Sequence, residues 1–205
     1  MINELDEALE AARGYAERAR AAVSARMTDK GALDREQRAA HGYAWIETLV
    51  EALQALTDWA AALDARKALG EGEQLLLRIA FGEALAQLAG GLPMGQNELV
   101  RPADFGLDAG PGHPLAQTGN SVATRRALIE WLRGGGPIDE RPGDDTLDTI
   151  RDQYRRFTDD RILPFAHGWH LADALIPDAV IAELAALGTF GVCIPESFGG
   201  LGLSK

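Results

Sequence analysis

The residues best placed to do chemistry lie in the last third of the chain. Gly199-Gly200-Leu201-Gly202, with Lys205 behind it, has the outline of a phosphate loop, in which backbone N–H groups would cradle an anion. His167 and His170 stand three residues apart, with Asp173 a further three on, a spacing that can share one helix face and hold a metal ion. Cys193 is a candidate nucleophile, and Asp144, Asp145, Asp148, Asp159 and Asp160 supply carboxylates for acid and base work.

Each of these meets a physical objection. No buried strand precedes the glycines, the third glycine of a dinucleotide fingerprint is missing and Lys205 lacks the Walker spacing, so the loop reads as a tight structural turn. Gly168 weakens the helix that would carry the histidines, and no Glu-x-x-His pair from a second segment completes a metal site. Cys193, between Val192 and Ile194, reads as a small hydrophobe packed in a core. The aspartates fall at a helix start and a polar helix end, where dipole and solvation account for them. His41 and His113 have no partner set. Trp45, Trp59, Trp131 and Trp169 could wall a ligand, but the spacing of the first two aligns them on one helix face as packing anchors. The sequence therefore assigns no catalytic residue, no cofactor-binding residue and no metal ligand.

The elements that position these residues are helical. Ala and Leu dominate, β-branched runs are scarce, and apolar residues recur with a period near 3.6, which predicts an all-α fold. A first helix is expected from Asn3 to about Met27, with Leu5, Leu9, Ala12, Ala16, Ala19 and Val23 on its buried face. Asp34 with Gln37 has the form of a capping box, opening a second helix to about Leu69 that buries Trp45, Leu49, Ala52, Leu53, Leu56, Ala60 and Leu63. A third helix, from near Glu71 to Gly90-Gly91, is apolar on more than one face and should be central. Residues 92–118, rich in proline and glycine, read as a long loop. Asn120 or Ser121 can cap a fourth helix ending at Gly134-Gly-Gly-Pro137. Further helices are expected from Asp144 or Asp145, with Pro164 bending or restarting the chain, and from Pro177 to Gly188. The expected domains are a helical extension over 1–133, a linker over 134–145 and a second helical domain beginning at 146.

Composition limits function. The 205 residues carry a net charge of −11, which disfavours nucleic acid as a partner. No apolar stretch approaches a membrane span. The acidic start lacks a secretory or transit signal, and one cysteine fits a reducing compartment, so the expected location is cytoplasmic.

From about Leu147 to Ser204 the ordered pieces Tyr154-Arg-Arg-Phe157, Arg161-Ile-Leu-Pro164, Ile176-Pro177, Leu184-Ala-Ala-Leu-Gly188 and Gly191-Val-Cys-Ile-Pro-Glu-Ser-Phe-Gly-Gly-Leu-Gly202 resemble the opening of the acyl-CoA dehydrogenase family. These flavoproteins oxidise the α,β bond of acyl-CoA thioesters. The resemblance implies FAD as cofactor, an acyl-CoA thioester as substrate, electron-transfer flavoprotein as electron acceptor and a homo-oligomer. It also implies that the flavin contacts and the catalytic glutamate belong to segments beyond Lys205, that Leu203-Ser204-Lys205 opens the next helix, and that this chain is an incomplete front part. His41-Gly-Tyr-Ala-Trp-Ile-Glu47 and Ala86-Gln-Leu-Ala-Gly-Gly-Leu-Pro-Met-Gly-Gln-Asn97 are similar to the extension of the branch acting on a short branched dicarboxylyl-CoA such as methylsuccinyl-CoA. The alternatives are a non-catalytic helical interaction module and another flavoenzyme of the same fold, such as an acyl-CoA oxidase.

Overall fold

In a computed structural model, residues 1–141 and 143–203 are described; the expected helix start at Ser204 and Lys205 lies outside them. The described chain is mostly helical and divides into two units, Met1–Glu140 and Arg141–Lys205.

Unit 1 is built on α1 (Ile2–Ser24), α3 (Gln37–Ala65) and α4 (Glu71–Gly90). In α1 the apolar residues recur every three or four positions, so Leu5, Leu9, Ala12, Ala16, Ala19 and Val23 all turn inward, joined by Ala8 and Tyr15. The helix runs antiparallel to α3: Arg13 at its middle donates to Gln54, and Arg26, just past its C-terminal end, pairs with Glu36 at 3.3 Å just before α3 begins. The expected capping box at Asp34 and Gln37 does not form. Asp34 is itself helical, in the four-residue α2 (Ala32–Arg35), and Asp29 starts that turn by accepting from the Gly31 N–H at 2.8 Å. Arg35 holds the Asp29 carboxyl below its ordinary range.

The buried face of α3 is Ala39, Gly42, Ile46, Val50, Leu53, Thr57, Ala60 and Leu63. It lies one residue past the expected one at its N-terminal half: Ile46 is buried, while Trp45 is 39% exposed and donates its indole N–H to His41 Nε2 at 2.9 Å. Trp59 remains partly buried against the core. Helix α4 is central as expected, packing on α1, α3 and the segments that follow it. Phe81, Leu77 and Leu85 are fully enclosed there.

Residues 92–118 are more ordered than a loop. Leu92–Gly95 (β1) and Glu98–Val100 (β2) form an antiparallel hairpin in which Leu92 pairs with Val100, and Pro93 and Gly95 fall at an irregularity of register. A 3₁₀ turn over Pro102–Phe105 follows, then α5 (Leu115–Thr118) and α6 (Val122–Arg133). Ser121 caps α6 by accepting from the Thr124 N–H at 3.1 Å. Helix α4 and the turn at Gly119 meet backbone to backbone: a Cβ on Gly82 would lie 2.4 Å from Asn120 N. Glu83, Gln87, Asn120 and Arg125 bond across this crossing, and the donors from Gln87 and Asn120 hold the Glu83 carboxyl below its ordinary range.

Unit 2 contains α7 (Asp145–Arg161), α8 (Leu163–Leu171) and α9 (Asp178–Ala186). Pro164 restarts the helix after a break at Ile162, and Gly188 ends α9 in the left-handed region at φ 82°. Arg161 bonds Glu183 through two nitrogens, tying the end of α7 to α9 and holding the Glu183 carboxyl low.

Burial pushes the Tyr15 phenol up to about 12, with Asp104 adding to the shift and Arg18 opposing it. The folded state favours the neutral phenol, so this stabilisation is complete below pH 10 and lost as pH rises toward 12. A shift of two units corresponds to about 2–3 kcal/mol. Stability measured from pH 9 to 12 should fall in that window, and Tyr15→Phe should remove Tyr15's share. Tyr43, also raised to about 12 by burial and by its bond to Glu47, will keep its own.

Candidate functional site

The glycine-dense loop is closed upon itself. After the 3₁₀ turn Thr189–Gly191, Pro195 sets up a second one at Glu196–Phe198, and Gly199 turns the chain back at φ 82°. The N–H groups a phosphate would need are already spent on carbonyls: Gly199 on Glu196, Gly200 on Pro195, Leu201 on Gly191, Gly202 on Ile194 and Leu203 on Val192. A Cβ on Gly200 would lie 2.1 Å from the Ile194 carbonyl oxygen, so this glycine permits two backbone segments to touch. The loop is a structural clasp, and its residues do not fit the phosphates of a flavin.

The other candidates stay apart. His167 and His170 are exposed on α8, and Asp173 lies beyond the helix end at φ 51°, where helical spacing no longer brings it over them. Among the described residues no group of three His, Cys, Asp or Glu side chains could hold a metal ion. Cys193 is exposed, which corrects the expected core packing: it sits in a surface turn beside Ile194, which is itself 43% exposed. Asp144 accepts from the N–H groups of Thr146 and Leu147 at 2.9 and 3.0 Å and caps α7. Asp144→Ala should cost α7 about 1 kcal/mol, seen as faster amide exchange over residues 146–150 with no change in α9.

What the spacing of reactive residues did not disclose is an apolar surface on unit 2. Among its described hydrophobic side chains only Val180 is buried, while Leu171, Leu175, Phe190, Phe198 and Leu201 are each more than half exposed. Phe165 stacks on Trp169 with ring centroids 6.0 Å apart. Exposed apolar side chains at this density on so short a segment are a feature of surfaces that other chain covers. Its trace in the sequence is an excess of apolar residues over what three short helices can bury among themselves.

Comparison with known proteins is consistent with this unit being one part of a larger domain. Residues 144–205 match the family described as acyl-CoA dehydrogenase, N-terminal domain. The (2S)-methylsuccinyl-CoA dehydrogenase of Cereibacter sphaeroides is 46% identical over 201 residues, covering 92% of this chain and 37% of that protein. Its similarity therefore extends through the helices of unit 1. Benzylmalonyl-CoA dehydrogenase of Aromatoleum aromaticum is 49% identical over 55 residues, 27% of this chain and 14% of that protein. The chain thus spans well under half the length of either relative.

Proposed function

Because the chain belongs to the acyl-CoA dehydrogenase family, we propose that it serves as the helical front part of an FAD-dependent enzyme oxidising the α,β C–C bond of a short branched acyl-CoA such as methylsuccinyl-CoA. The carrying observation is the 46% identity to a methylsuccinyl-CoA dehydrogenase across both units, since a shared N-terminal domain alone would not extend into residues 1–140. Oxidation of this bond removes a proton from the α-carbon and a hydride from the β-carbon, and FAD would accept the hydride. On this reading the proton acceptor and the flavin contacts lie in other segments of the enzyme.

The contribution of this chain is scaffold. The open apolar side of unit 2 fits a segment that the following part of the enzyme covers, with residues 1–133 as an accessory domain and 134–145 as the connection to it. Electron-transfer flavoprotein as acceptor, a homo-oligomeric assembly and a cytoplasmic location belong to the same proposal. No described helix is long and apolar enough to cross a membrane.

The test is turnover by the enzyme that carries this chain, using a panel of acyl-CoA thioesters with an artificial electron acceptor. Bound flavin and preference for methylsuccinyl-CoA are expected. Flavin with turnover of other thioesters alone would retire the substrate, and hydrogen peroxide produced in stoichiometry with product would point to an oxidase. A colourless 22.0 kDa protein that captures a partner through residues 163–201 would replace the proposal with an interaction module.

A further inference from the structure

Helix α6 carries apolar residues on both sides, and none of its residues is buried. Its inner side lies along the first half of α4: Asn120, just before the helix, touches Gly82, and Trp131, near its end, lies on Gly72, where a Cβ would come within 2.6 Å of the indole nitrogen. Gly136 folds back on the same ring, where a Cβ would come within 2.3 Å, and the indole N–H donates to the Pro137 carbonyl at 3.1 Å. The outer side is uncovered. Val122, Arg126, Ile129 and Arg133 fall at i, i+4, i+7 and i+11 and make one stripe, with Leu132 on one shoulder and Glu130 on the other. Val122 is 76% exposed, and neither Arg126 nor Arg133 pairs with an acid among the described residues. In a chain of net charge −11, this stripe attracts an acidic neighbour.

The opposite chemistry lies at the hairpin end of the same unit. Leu33, Asp34, Gln37, Arg38, His41 and Glu98 line a groove of about 470 Å³ where α2, the start of α3 and β2 meet. Arg38 is turned to the Leu99 carbonyl at 2.7 Å and to Asp104 at 3.5 Å, and Arg35 close by is bound to Asp29. The Asp34 and Glu98 carboxylates therefore have no cation of their own among the described residues. An arginine fits such a groove, its methylenes along Leu33 and its guanidinium forked onto a carboxylate. Helix α3 begins beside the hairpin, where a Cβ on Gly42 would lie 2.6 Å from Val100, and extends about 36 Å from His41 to Ala65 at roughly 1.5 Å per residue. Residues 66–70 return the chain into α4, whose first half, the half away from the hairpin, carries α6. The two faces of one chain thus stand too far apart to satisfy each other. Pairing like with like would set arginine against arginine or carboxylate against carboxylate. We propose that unit 1 contacts a second copy head to tail, the α6 arginines entering the Asp34 and Glu98 groove of the next chain. Such a heterologous contact closes into a ring or continues as an open chain. It gives a surface to the homo-oligomeric assembly proposed above, and because it is read by association and not by turnover, its failure would leave the flavoenzyme reading standing.

The experiment is sedimentation of the full chain over a range of concentrations at low and high salt. A mass that rises above 22.0 kDa with concentration and falls back as salt is raised is expected. Arg126→Glu with Arg133→Glu spoils one face, and Asp34→Arg with Glu98→Arg spoils the other. Each pair of changes should raise the dissociation constant roughly tenfold or more. Mixed in equal amounts, the two variants each keep the face the other lacks and should form a two-chain complex at near native strength. A chain carrying all four changes should associate with itself again. Mixing cannot rescue a misfolded variant, so this recovery separates loss of contact from loss of fold. A native chain that stays at 22.0 kDa, association that survives either pair of changes, or a mixture that stays monomeric would overturn the contact. Association that strengthens with salt would trace to the apolar side of unit 2 and overturn it as well.

Discussion

Gly119→Ala is expected to lower the melting temperature of unit 1 by about 10 °C or more, although the backbone at this position argues for the opposite. Gly119 is helical, at φ −64° and ψ −56°, and alanine in a helix is favoured over glycine by about 1 kcal/mol. Space decides the sign. A Cβ there would lie 2.3 Å from the Arg78 carbonyl oxygen, 2.8 Å from Gly82 Cα and 2.9 Å from the Leu115 carbonyl oxygen, all of them backbone. None can rotate away. The methyl must separate α4 from the turn that carries the fully buried Leu115, and overpacking of this kind costs about 3 kcal/mol or more. Circular dichroism melts of the two proteins would check it, and a variant melting at or above its parent would show that the crossing is loose.

Phe81→Ala should cost about 3–5 kcal/mol. The ring is wholly enclosed in the core that α1, α3 and α4 share, where no neighbour is free to fill the space. Amide exchange by peptide is the measurement of choice because it separates the units. Protection over residues 2–24 and 37–65 should fall by two orders of magnitude or more, while that over 145–187 should not change. Equal losses in both would mean that unit 2 depends on the core of unit 1.

The sequence disclosed those features that repeat. In α1 small and large apolar residues alternate with acidic and basic ones, so a single face is apolar and its six expected residues are all buried. In α3 apolar residues lie on several faces, and periodicity cannot choose between Trp45 and Ile46; the choice is made by which side the hairpin and α1 cover. The hairpin itself was hidden because its strands are three and four residues long and include Pro93 and Gly95, residues that read as loop. Gly134-Gly-Gly-Pro137 read as flexible because glycine composition is silent about a tryptophan three residues upstream on which the chain can fold back. The glycine-dense end was legible as a turn, since closing it needs only residues near in sequence. Its uncovered apolar neighbours were not, because whether Phe190 or Phe198 is buried depends on chain that is distant in sequence.

The contrast between a unit with an enclosed core and one with a single buried apolar side chain among its described residues orders events during synthesis. A ribosome adding about 5–20 residues per second releases the N-terminal unit first. Once residue 140 has cleared the exit tunnel, every side chain of the first core is present and that unit can close without waiting. The helices after it cannot. They emerge with phenylalanines and leucines in water, so the interval after unit 1 has closed is when the nascent chain is most open to chaperones and to self-association.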